Sequence, residues 1–313
     1  MSVSQVQYVP LSSKAGTHLT EANILCLGNF DGVHLGHQAL LSAARSMQAE
    51  YLPHARCGVL CFSPPSSDFL LKDSPKHLST DQEKAERFAA AGMDFVLFAD
   101  FLKMRELTPT DFINEILIKQ CHCVGIVCGF NYRFGKGGAG SAQLLQSIKD
   151  LPVFIQPEIT CDGETVSSSR IRKLIREGNV EEAARLLTIP YSLTSPVLHG
   201  KALGRRWGAP TINQRFPLQA QIPRLGVYVT ESEVDGVRYR GISNVGIRPT
   251  VESTEEVVCE TFLFDFSGDL YEKNVKTSFL HFLRPEQKFE SADMLQAQIA
   301  SDIAKAKKFT QEH

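Results

Sequence analysis

Residues 28–41, GNFDGVHLGHQALL, decide the fold. The apolar run before them, ANILCL (22–27), reads as a buried strand. The stretch HQALLSAARSMQAEY (37–51) behind them has the apolar spacing of a helix. Gly28, Asp31 and Gly32 then form a tight turn between the two, and the helix starts near Gly36. His34 and His37 are three apart, so they share the first turn of that helix. A helix N-terminus offers unpaired N–H groups and the positive end of a dipole, which together favour phosphate. Two imidazoles there could hydrogen-bond the same anion, and Gly32 and Gly36 let it approach the backbone. Surface histidines beside a turn are the plainer reading, but they do not account for the glycines, the aspartate and the paired histidines together.

The alternation continues outward. ARCGVLCF (55–62), DFVLFAD (94–100) and HCVGIVCGF (122–130) read as further strands, with PVFIQPEI (152–159) extended. STDQEKAERFAAAG (79–92) reads as a helix capped at Ser79 or Thr80 and stopped at Gly92. TPTDFINEILIKQ (108–120) and GSAQLLQSIKDL (140–151) read as helices between those strands. Such alternation predicts an α/β domain, a parallel sheet with helices on both faces and ligands at the carboxyl ends of the strands. SSSRIRKLIREGNVEEAARLL (167–187) reads as two short helices broken at Gly178. After Pro190 the signals turn to β: YSLTSPVLHG (191–200), GVYVTESEV (226–234), VRYRGISNVG (237–246), VCETFLFDF (258–266) and NVKTSFLHFL (274–283). They predict a small antiparallel barrel or sandwich, closed by an amphipathic helix over 291–309. The domains are therefore expected at 1–187 and 188–313.

A chain of 313 residues with 43% hydrophobic and 22% charged residues has room for two cores. Its formal net charge of -2 argues against broad binding to nucleic acid, so phosphate recognition must be local. The 8 cysteines form no CxxC pair and several sit in apolar runs, which predicts reduced thiols and a cytoplasmic protein. The N-terminus lacks a signal-peptide pattern, and no apolar run is long enough to span a membrane.

A second constellation is VLHGKALGRRWGAPTIN (197–213). Gly200 and Gly204 punctuate a basic loop carrying Lys201 and Arg205, a composition suited to cradling phosphate. On an extended strand Thr211 and Asn213 point to one face, where a hydroxyl and an amide oxygen suit Mg²⁺. A basic surface loop followed by an ordinary turn fits the loop taken alone equally well.

Six motifs in order resemble the bacterial bifunctional riboflavin kinase/FAD synthetase (FMN adenylyltransferase) family, from about residue 20 to about 309. GNFDGVHLGH matches the HxGH signature of its nucleotidyltransferase half. GFNYRFGKGGAG (129–140) and VSSSRIR (166–172) resemble its flavin-side loop and its phosphate segment. GRRWGAPTIN, GISNVGIRPTVE (241–252) and VCETFLFDF resemble its kinase half. The resemblance implies a Rossmann-like HxGH nucleotidyltransferase domain followed by a flavokinase β-barrel with a C-terminal helix. It implies phosphorylation of riboflavin to FMN and adenylylation of FMN to FAD, with ATP as co-substrate and Mg²⁺. It implies that His34 and His37 act at the adenylylation step. ATP phosphates would meet Gly28, Phe30, Asp31, Gly32, Gly36, Ser168, Ser169 and Arg170 there, and Gly200, Lys201, Gly204 and Arg205 in the kinase. Asn131 and Arg248 would meet flavin, Thr211 and Asn213 the metal, and Glu260 would be the base for the riboflavin hydroxyl. The chain departs from the family at Pro65, where a histidine is usual, and at Trp207 and Ala209. These departures leave a chain with one active half as a rival reading; a second rival is a flavin carrier or sensor, against which the intact His34, His37, Thr211, Asn213 and Glu260 speak. A nucleotidyltransferase for another substrate is a third, and the PTIN loop argues against it.

Overall fold

The computed structural model describes residues 7–11, 19–63, 76–100, 104–199, 211–249 and 255–312. The chain divides into two compact units, Met1–Ser168 and Ser169–His313.

The first unit holds a six-stranded sheet of β1 (Gln7–Leu11), β2 (Asn23–Leu27), β3 (Arg56–Ser63), β4 (Phe95–Asp100), β5 (Cys123–Gly129) and β8 (Val153–Gln156). Short antiparallel pairs, β6 (Arg133–Phe134) with β7 (Gly140–Ser141) and β9 (Thr160–Cys161) with β10 (Glu164–Thr165), decorate it. Every pairing in the large sheet is parallel, in the order β1-β4-β3-β2-β5-β8. The chain builds outward from β2 through β3 to β4, then returns to lay β5 on the other side of β2. The strand order therefore reverses between β2 and β5, the place where open α/β sheets bind ligands.

Side chains alternate across the strands, so each face has its own core. Ile24, Cys26, Val59 and Val96 pack with Leu41 and Ala44 of α1 (Leu35–Tyr51) and Phe88 of α2 (Asp81–Ala90). Leu25, Leu27, Leu60 and Leu97 pack with α3 on the opposite face, through Phe112, Ile116 and Leu117. Helix α3 starts as Pro109–Asp111 and continues π-helically over Phe112–Gln120. Leu145 of α4 (Ala142–Gln146) completes that face. Thr80 caps α2 through a reciprocal box with Glu83, and Gly92 ends the segment at φ 76°. Gly58 is fixed by packing: a Cβ there would lie 2.2 Å from the buried Phe95 ring. Gly58→Ala is expected to destabilise the unit by about 2 kcal/mol, read as a lower midpoint in urea denaturation.

The second unit is a closed six-stranded antiparallel barrel, which decides between the barrel and the sandwich expected from sequence. Helices α5 (Ser168–Glu177) and α6 (Val180–Leu187) precede β11 (Ser192–Leu198), β12 (Thr211–Arg215), β13 (Gly226–Val234), β14 (Val237–Pro249), β15 (Glu255–Leu263) and β16 (Asn274–Pro285). Helix α7 (Ala292–Glu312) ends the described chain. Around the barrel the order is β11-β12-β15-β14-β13-β16. Its interior carries buried hydroxyls. Ser243 Oγ lies 2.8 Å from Thr230 Oγ1 and 2.7 Å from Thr261 Oγ1. Thr277 donates to Gln214 Oε1 at 2.7 Å.

Compactness puts the boundary at 168/169, earlier than the 187/188 expected from sequence. The reason is packing. Arg224 N donates to the carbonyl of Ile175, Gly178 (φ 87°) lies against Phe282 and Arg224, and Glu181 pairs with His281. Both short helices thus join the barrel unit. None of the eight cysteines is in a disulfide, and burial pushes Cys57 up to about 11 and Cys61 up to about 12, as expected of inert core thiols. No helix among the described residues is long and apolar enough to cross a membrane.

Candidate active sites

The histidine cluster sits at the carboxyl end of β2, beside the strand-order reversal. The turn into α1 is tightly wound: Phe30, Gly32 and Val33 have φ of 52°, 78° and 37°. A β-branched residue at positive φ is costly, and such strain concentrates where a loop must hold a functional shape. The surroundings pin that shape. Asp31 Oδ1 accepts from Leu78 N at 2.9 Å, and Gly32 N donates to Ser79 Oγ at 3.0 Å. Arg87 Nη1 donates to the Gly32 carbonyl at 2.7 Å, and Ser168 Oγ donates to that of Asp31 at 3.0 Å. His34 is the N-cap of α1, and its ring lies over Gly36, where a Cβ would come within 3.3 Å of it. The two imidazoles stack with centroids 3.7 Å apart, and Phe30 lies tilted on His37 at 5.0 Å. Burial, then His34, Lys84 and Arg87, hold His37 well below the usual histidine range. It meets a ligand as a neutral ring, and its buried Nδ1 makes no hydrogen bond among the described residues.

Most of the sequence-predicted residues of this site meet here: Gly28, Phe30, Asp31, Gly32, His34, Gly36, His37 and Ser168. The Asp31 carboxylate is 5% exposed and braces the turn through Leu78 N. Ser169 and Arg170 belong to the second unit, where Arg170 Nη2 pairs with Glu182 at 3.3 Å. Sequence reasoning missed Ser79, Lys84 and Arg87. Only the spacing of Lys84 and Phe88, one turn apart on α2, hinted that a basic residue shares the buried face. On the loop 129–140, a cavity of about 540 Å³ is lined by Phe62, Phe112, Phe134, Arg133 and Lys136, with Gly135, Gly137 and Gly138. Asn131, within this loop, is exposed and does not line the cavity.

In the barrel, strand register builds the second site. Asn213 on β12 and Asn244 on β14 both pair with Glu260 on β15, so the three share one face across neighbouring strands. Thr211 lies two residues before Asn213 and pairs with Phe262. The Oδ1 of Asn213 is buried with no hydrogen-bond partner among the described residues. Arg248 Nη2 lies 3.5 Å from Glu260 Oε1, so the residue expected to meet flavin touches the expected base. A cavity of about 450 Å³ opens beside them, lined by Thr211, Asn244, Glu260 and Phe262, by Val227 and Ile242, and by Leu295 and Ile299 of α7. Its polar edge includes Glu286, which accepts from Asn244 Nδ2 at 3.4 Å. Gly200, Lys201, Gly204 and Arg205, like Pro65, Trp207 and Ala209, lie outside the described residues.

Two family models match, "FAD synthetase" over residues 17–170 and "Riboflavin kinase" over 187–310. A bifunctional riboflavin kinase/FMN adenylyltransferase of Listeria monocytogenes is 33% identical over 298 residues, 94% of this chain and 93% of that protein. The chain belongs to the bifunctional riboflavin kinase/FMN adenylyltransferase family. Members from Haemophilus influenzae and Escherichia coli K12 are each 35% identical, over 91% and 92% of this chain and 93% of each relative. A solved structure described as a macrolide-efflux protein from Streptococcus pneumoniae superposes with a TM-score of 0.87 at 30% identity. It covers 96% of this chain and 99% of its own. The family's two halves correspond to the α/β unit and the barrel.

Proposed function

We propose that this chain makes FMN from riboflavin and ATP at the Glu260 site, and FAD from FMN and ATP at the His34/His37 site. The observation that carries the reading is that each family model falls on one compact unit, the α/β unit holding the histidine turn and the barrel holding Glu260 at the edge of its cavity. Adenylylation is assigned to residues 1–187 and phosphorylation to 188–313; α5 and α6, which pack on the barrel, lie largely between the two family segments.

In the first step the 5′-hydroxyl of riboflavin attacks the γ-phosphorus of ATP. Its proton passes to the Glu260 carboxylate and ADP leaves. The apolar wall of the 450 Å³ cavity, Val227, Ile242, Leu295 and Ile299, suits a flavin ring. The Thr211 hydroxyl and Asn213 Oδ1 are hard oxygen donors, and the unpartnered Asn213 oxygen fits a resident Mg²⁺. Bound there, the ion would screen the charge of the phosphates. Asn213→Ala is expected to raise the Mg²⁺ concentration for half-maximal FMN formation at least about tenfold, without that effect on FAD formation. A Mg²⁺ titration of each activity checks this.

In the second step a phosphate oxygen of FMN attacks the α-phosphorus of ATP, and pyrophosphate leaves. The nucleophile is already anionic, so the site must orient and stabilise rather than remove a proton. The neutral His37 ring, the His34 imidazole and the N–H groups at the start of α1 do this. The eight cysteines without disulfides support a cytoplasmic setting.

The deciding test is a product time course with riboflavin, ATP and Mg²⁺. FMN appearing first and FAD following supports both sites. FMN alone removes the adenylylation half. Tight flavin binding without turnover turns the reading to a carrier.

A further inference from the structure

Lys84 lies on α2 with its side chain 2% exposed. Among the described residues its ammonium meets one carboxylate, Asp81 Oδ1 at 3.4 Å, and Asp81 is itself 26% exposed. Helix α2 packs directly on the histidine turn. Phe88 stands edge-on to Phe30 at 5.4 Å, Phe30 lies on His37, and Arg87 holds the Gly32 carbonyl. The Arg87 guanidinium is lowered by burial to about 10, still charged at neutral pH.

We propose, resting on the adenylylation reading above, that the Lys84–Arg87 face of α2 is a positioning element of that site. It clamps the strained turn and sets fixed positive charge behind the histidine pair, where the ATP phosphates are bound. The groups around His37 are His34 on its own helix and Lys84 and Arg87 on α2. Asp81 faces Lys84, Glu83 acts on Arg87 and Asp31 lies in the turn. The two cations push the ring toward its neutral form and attract the anion, and both effects help a hydrogen-bonding imidazole meet phosphate. Neither residue touches reacting atoms in this scheme. Both act through the turn and the field.

The test uses the full chain with Lys84→Met, close in shape but uncharged, and Lys84→Arg. The His37 ring is titrated by NMR, and the ATP KM of FAD formation is measured from supplied FMN. FMN formation from riboflavin reports on folding. In K84M the His37 titration is expected to rise by about half a pH unit or more. The ATP KM is expected to rise about fivefold, with FMN formation unchanged. K84R is expected to restore both values toward those of the native chain. An unmoved titration together with an unmoved KM in K84M overturns the proposal. If K84M also loses FMN formation, Arg87→Gln carries the same test at a less buried position. A native chain that makes no FAD sinks the functional reading, and the ring titration still decides whether the α2 cations act on His37.

Discussion

Replacing Glu260 by glutamine is expected to cut FMN formation by about 10²–10⁴-fold, the range a positioned general base contributes. FAD formation from supplied FMN is expected to stay within twofold of the native rate. The substitution keeps the shape and removes the negative charge with its proton acceptor. Asn213 and Asn244 still flank the position, because backbone register sets that arrangement. The lost ion pair to Arg248 is 3.5 Å long between partly exposed groups, so stability should change by less than about 1 kcal/mol. Chromatography of the two products separates the steps. A Glu260→Gln enzyme that phosphorylates riboflavin within tenfold of the native rate would sink the assignment of the base.

His37→Ala is expected to do the reverse, lowering FAD formation by about 10²–10³-fold as for loss of a preorganised hydrogen-bond donor. FMN formation should be unaffected. The pH dependence follows from the direction of the His37 shift. In the free enzyme the ring is held below the usual histidine range, so it is neutral from about pH 6.5 upward. Bound ATP brings negative charge, which favours the protonated ring and raises its titration point. The acid limb of kcat for FAD formation should therefore lie at higher pH than that of kcat/KM. Equal acid limbs, or a His37→Ala enzyme with near-native FAD formation, would remove His37 from the mechanism. The same shift bears on folding. A histidine kept neutral in the native state adds stability that is present above about pH 6.5 and is lost as the pH falls below it.

Much of this was legible in the chain because two periodicities carry it. Strand–turn–helix punctuation around Gly28–Gly36 marked the centre of the sheet, and the capping box at Thr80 and the break at Gly178 lay where local chemistry puts them. The shared face of Thr211 and Asn213 followed from strand geometry alone, once the segment was extended. Pairings between distant strands were not legible, because register depends on how the barrel closes. That Asn213 and Asn244 both face Glu260 is a property of β12 and β14 meeting β15. Strand β1 was missed because an edge strand needs little of its own, and Pro10 in it tolerates only an edge position. The π-helical stretch of α3 was missed because apolar spacing does not separate one helix type from another. Lys84 was not singled out, because the burial of a lysine depends on what its helix packs against, here through Phe88 on Phe30.

The hydroxyls inside the barrel behave as a row of rotors. In the contacts of Ser243 with Thr230 and Thr261, either oxygen is able to donate. Turning one hydroxyl can reverse the whole row without moving a heavy atom. Ser243 also borders the cavity beside Glu260. Whichever way the row runs, Ser243 gives its proton to one threonine and takes one from the other, so a reversal swaps donor and acceptor at the ends of the row while the wall it gives the cavity keeps its shape.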